Sequence, residues 1–193
     1  MTRIFPMLAS LSLMLMAVAL ALGFSIGDLY ADPPAAATIA WRGRHMLTGV
    51  AAALAVVLVE SIAVTYFIGT SRWVKEVTET YRLPRAELEQ SARLKRRTFA
   101  WAVTGMLTVV GVGALGAASD PGTGRPDAAS LAGTHQLAAL AGWCVIAWTY
   151  YRAWLNIAAN QAVIARIVAQ VQRIRSERGL DAPAPREAAA PIG

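Results

Sequence analysis

The sequence predicts an all-α, polytopic membrane protein: a four-helix bundle made of two tandem helical hairpins, with helices two, three and four running on into the cytoplasm. Three observations predict it. Four stretches are apolar over about twenty residues, the length a helix needs to cross the hydrocarbon core. The segments between them carry most of the charge. The chain's 2 histidines, His45 and His135, stand at matching places in its two halves. They occur as Gly43-Arg44-His45-Met46-Leu47 and Gly133-Thr134-His135-Gln136-Leu137, each opening an apolar run downstream of an Asp-Pro, Asp32-Pro33 and Asp120-Pro121.

The first span, 7–26, carries no charge and follows a short basic start at Arg3. A cleaved leader begins in the same way, but this run is longer than a usual leader core and Leu29 is a poor residue three places before a cut. The run also aligns with the third span through Gly23 and Gly111, so it is expected to stay as a helix. The second span, 46–69, carries only Glu60. Its pattern continues past the membrane, with Val74, Val77 and Tyr81 at helical spacing and no breaker before Pro84.

Pro84 suits the first position of the next helix, with Glu87 and Glu89 early in it. A helical hairpin over 70–97 should therefore project from the membrane and lead into the uncharged third span, 98–119. The fourth span, 136–157, carries only Arg152 near its far end and continues through a stripe of Ile164, Ile167, Val168, Val171 and Ile174. That stripe either packs against the 70–97 hairpin or offers a docking face to a partner protein or a second copy. Residues 1–178 thus read as one transmembrane domain. The tail 179–193, rich in Ala and Pro without periodicity, is expected to be disordered.

Short loops rich in Lys and Arg stay in the cytoplasm. The 70–97 segment and the C-terminal tail hold most of the basic residues, whereas the first and third loops offer Arg42, Arg44 and Arg125. Both termini are therefore expected in the cytoplasm and both histidines near the opposite face. The net charge of +6 follows from topology and calls for no nucleic acid. A preference for Arg over Lys and an Ala-rich text point to a bacterial inner membrane.

Several chemistries are excluded. The 1 cysteine, Cys144, allows no internal disulfide framework and no Cys-based zinc or iron–sulfur site; it reads as a small buried hydrophobe. No glycine-rich phosphate loop, Gly-x-Ser-x-Gly or His-Glu-x-x-His is present. The chain therefore reads as an electron-transfer or accessory subunit more readily than as an enzyme.

Two imidazoles from facing helices can occupy both axial positions of one haem b. Gly49 and Ala52 after His45, and Ala139 and Gly142 after His135, are small residues on the histidine faces, leaving room for a macrocycle or for close helix approach. Arg42 and Arg44 are candidate partners for haem propionates or an ordinary interfacial pair beside Trp41. Met46 is turned about 100° from His45 round the helix and should face apolar neighbours.

Glu60 lies about 22 Å along the helix from His45, on a similar face. An ionisable group inside a span usually faces the bundle interior. The repeat sets Tyr150 opposite, so a Glu60–Tyr150 hydrogen bond is expected, as a proton or quinone site or a structural tie, with Arg152 the alternative partner. Tyr66, Phe67, Trp73, Tyr150, Tyr151 and Trp154 gather where an aromatic belt belongs.

No family motif is recognised; four-span b-type cytochromes offer an analogy in architecture and ligand type alone, and two histidines allow at most one bis-histidine haem. The expected function is a single-haem electron-transfer subunit. A scaffold docking a partner on its cytoplasmic helices is the alternative, and a small transporter or channel comes third.

Overall fold

Apolar runs of this length can satisfy their backbone in lipid only as helices or closed barrels, and the chain forms helices. A computed structural model describes residues 1–180. It contains α1 (Ile4–Phe24), α2 (Ala36–Tyr81), α3 (Ala86–Ala118) and α4 (Ala128–Glu177), with one 3-10 turn at Pro121–Thr123. Among the described residues there is no strand. All four helices are long and apolar enough to cross a membrane, which makes this a multi-pass membrane protein.

Each expected span lies within or against one helix, but only α1 is about as long as the hydrocarbon core is thick. At about 1.5 Å per residue, the 46 residues of α2 and the 50 of α4 reach about 70 Å and 75 Å, far more than a core of about 30 Å. Consecutive helices pack as antiparallel neighbours, α4 closes the ring against α1, and α2 and α4 also touch across the diagonal. The outward faces are apolar, with Leu47, Met7 and Leu137 more than two-thirds exposed. Such a surface suits lipid rather than water.

Beyond the apolar core, α2, α3 and α4 stay together as a three-helix extension. Val74 of α2, Leu94 of α3 and Val163 and Ile167 of α4 are buried in it, so the chain itself covers the stripe on helix four at Ile167, while Ile164, Val171 and Ile174 are half-buried and Val168 is exposed. Polar groups clamp the same region. Arg166 donates to both carboxylate oxygens of Glu87 at 2.8 Å and to Gln90 at 2.9 Å. The α2–α3 turn runs through Arg82, the left-handed C-cap of α2 with φ of 53°.

Two local expectations change. α3 starts at Ala86 after an Arg85 N-cap, so Pro84 lies just outside the helix rather than at its first position. Cys144 is exposed on the outer face of α4 rather than buried, because the face of α4 that packs inward is set by Gly142, Ile146 and Thr149. All but the first two residues of the 179–193 tail lie outside the described residues.

Candidate functional site

At the end of the bundle away from the 70–97 hairpin, two loops are tied to each other. Tyr30, in the α1–α2 loop, donates its hydroxyl to the Ser119 carbonyl at 2.6 Å. Arg42, in the second turn of α2, makes a bidentate pair with Asp120, which also accepts from the Gly122 amide at 2.7 Å. The Arg42 guanidinium beside it holds the Asp120 carboxyl below the usual carboxylate range. Because the folded-state value is depressed, this stabilisation is complete above the ordinary value of 3.8 and is lost as pH falls below it. Asp120→Asn is therefore expected to cost about 1 kcal/mol at neutral pH and to flatten the acid limb of a melting-temperature profile.

Beneath these loops lies a cavity of about 720 Å³ lined by all four helices, within the size range of small-molecule and cofactor sites. Its walls are made largely of glycine, alanine and valine. His45 of α2 and His135 of α4 project into it from the diagonal pair of helices, with ring centroids 6.1 Å apart and planes at 72°.

Each histidine is backed by the helix beside its own. His45 Nδ1 donates to the Ala19 carbonyl at 2.9 Å, which leaves Nε2 with its lone pair. The Val112 backbone lies against the His135 ring, whose buried Nδ1 has no hydrogen-bond partner. A glycine lies behind each ring: a Cβ on Gly23 would stand 3.0 Å from His45 Cε1, and one on Gly116 would stand 2.9 Å from His135 Cε1. Gly111, which the sequence aligned with Gly23, has open space beside it and touches neither histidine.

The small residues near the histidines divide into two roles. Gly49, Ala52 and Ala139 line the cavity. Gly142 instead packs against α3, where a Cβ would stand 2.8 Å from Val112 Cγ2. Among the described residues no third His, Cys, Asp or Glu joins the imidazoles in a metal-binding cluster. A bare ion would have two protein ligands there, whereas a macrocycle supplies its own equatorial ones.

The chain matches no family model, no curated protein and no solved structure. Its chemistry therefore has to be read from the geometry. Arg42 lines the cavity, engaged with Asp120, whereas Arg44 stacks 4.9 Å over Trp41 and is not part of the lining.

A second polar site lies two turns deeper than the cavity floor. Glu60 of α2 is completely buried, and its Oε1 accepts from Thr149 Oγ1 of α4 at 2.7 Å while Oε2 has no partner. The expected Glu60–Tyr150 bond does not form: Tyr150 shares a 3.0 Å hydrogen bond with Ser12 of α1. Residues one apart point about 100° apart round a helix, and it is Thr149 that faces α2. Arg152 is not the partner either, since its guanidinium lies over the rings of Trp101 and Trp148. Gly105 of α3 makes space for the carboxyl; a Cβ there would stand 2.5 Å from Glu60 Oε1.

Sequence reasoning also missed a set of buried polar links nearer the 70–97 end. Asn156 donates to Thr98 at 3.0 Å, Asn160 donates to Thr70 at 3.0 Å and Tyr66 at 3.3 Å, and Ser91 donates to Asn160 at 2.8 Å. The available signal was two asparagines four residues apart on α4, on the face that also carries Thr149, Ala153, Val163 and Ile167.

Proposed function

We propose that the protein is a membrane electron-transfer subunit holding one haem b between His45 and His135. The meeting of the chain's two imidazoles in one cavity carries this reading. The rings here stand 6.1 Å apart. The cavity volume, its small apolar walls and the backbone acceptor behind His45 Nδ1 support the same reading.

When bound, a haem held by His45 and His135 would supply one-electron chemistry. The chain's own groups hold and orient the ligands. The Ala19 carbonyl fixes the His45 tautomer, Gly23 and Gly116 set how closely each ring lies against its neighbouring helix, and Arg42 at the cavity mouth would share its guanidinium between Asp120 and a propionate.

The finer arrangement belongs to the same proposal. Matched packing of Ala19, Gly23 and His45 with Val112, Gly116 and His135 supports descent of the two hairpins from one. The basic residues of 70–97 and of the C-terminal segment support a bacterial inner-membrane topology. In it both termini and the three-helix extension are cytoplasmic.

A reduced-minus-oxidised visible spectrum of protein purified from a haem-supplied host tests the reading. A sharp b-type α band at close to one haem per chain is expected; a folded, colourless protein rejects the haem. Gly116→Ala is expected to displace the His135 ring, shift the band and weaken haem retention about tenfold, as loss of an outer-shell support does.

A further inference from the structure

We infer that Glu60 is a proton-binding site in the middle of the bundle, loaded from the 70–97 end of the molecule through a buried file of amide and hydroxyl side chains. The inference stands apart from the haem reading and uses different residues. Its first support is the isolation of the carboxyl. Glu60 is 0% exposed, and Oε2 lacks a hydrogen-bond partner. A buried carboxylate without an opposing cation is costly, and binding a proton at Oε2 removes that cost.

The surroundings supply no competing charge. α4 presents Thr149, which donates to Oε1, and the ionisable Tyr150, whose hydroxyl is engaged by Ser12 of α1. α3 presents Gly105, and the adjoining turns of α2 itself are Val56, Val59 and Ala63. The Arg152 guanidinium is turned to Trp101 and Trp148.

The second support is an asymmetry along the bundle axis. Toward the histidines, Val56, Val109 and Ile146 are buried around the next turn and separate Glu60 from the cavity. Toward the 70–97 end, polar groups recur. Asn160 joins Ser91, Tyr66 and Thr70, and Asn156 joins Thr98 one turn deeper. From there to Thr149 is two turns, about 10 Å. The buried residues over that gap are the small Ala63, Ala102 and Ala153 together with the larger Phe67 and Tyr150, and a file of water along the alanine side would bridge it. A proton from bulk water at that end would bind Glu60 Oε2, leaving its conjugate base in the bulk, and would return by the same route.

The test is infrared spectroscopy of the full-length protein in lipid vesicles at neutral pH. A protonated-carboxyl C=O band is expected that is absent from Glu60→Gln and shifts on transfer to D₂O. Thr149→Val, which removes the hydroxyl donor, should leave the band but raise its frequency, so a poorly folding glutamine variant does not decide the matter alone. Thr98→Val keeps the side-chain shape and breaks the Asn156 link; it should slow deuteration of the band at least tenfold without changing its size. The absence of a Glu60-dependent band in the parent would overturn the proton site. Equal deuteration rates in the parent and Thr98→Val would overturn the route.

Discussion

Replacing either His45 or His135 by alanine is expected to abolish the b-type α band, with haem retention falling at least a hundredfold. Loss of an outer-shell partner alone typically costs ten- to a hundredfold in affinity, and here an axial ligand itself is removed. The two variants should differ in detail. His45 is oriented by a closed hydrogen bond to Ala19, whereas His135 lacks one; the His45 ring is the better fixed ligand, so His135→Ala should keep the larger residue of five-coordinate haem. Replacement by glycine with added imidazole is expected to restore part of the band, because the cavity stays open to a free ring. Visible spectra with a haem-to-protein ratio measure all of this. An unchanged band in either alanine variant would rule out ligation by the pair, whatever the source of the colour.

The histidine pair was legible because a repeated Gly-x-His-x-Leu at the head of two apolar runs marks equivalent depth and face at once. The four spans were legible for a similar reason: in lipid, backbone satisfaction leaves a run of about twenty apolar residues few choices. What lay beyond sequence was the meeting of helices that are distant in the chain. Register alone set Glu60 opposite Tyr150, yet a rotation of one residue gives the contact to Thr149 and sends Tyr150 to Ser12. Gly105 looks like Gly111 and Gly113 in the text, and only packing shows that it alone of the three makes room for a carboxyl. The helix-four stripe left docking and self-packing equally open, because hydrophobic spacing names a buried face and not what covers it. In the structure Ile167 is buried among α2, α3 and α4 and Val168 is exposed.

Gly105→Ala is expected to destabilise the protein by about 2–3 kcal/mol, against the sign that helix propensity alone demands. In a helix interior alanine is favoured over glycine by up to about 1 kcal/mol. At this position, however, the new Cβ would stand 2.5 Å from Glu60 Oε1 and 3.1 Å from Thr149 Oγ1. The carboxyl is the end of a flexible side chain, but it is enclosed, and moving it breaks the 2.7 Å bond from Thr149. Overpacking of this kind costs about 1–3 kcal/mol, and leaving a buried polar group unpaired costs about as much again. At Gly111, where nothing lies within 4 Å of the added methyl, the same substitution on the same helix should instead be neutral or stabilising by up to about 1 kcal/mol. Thermal melts of the two variants in one detergent therefore separate local packing from backbone propensity. Glu60→Ala should cancel most of the Gly105→Ala cost in the double variant, since the atom that the new methyl would strike is gone. Additive costs across that cycle would mean that Gly105 is small for a reason other than Glu60, and that the carboxyl does not hold the place between α3 and α4 that its contact with Thr149 implies.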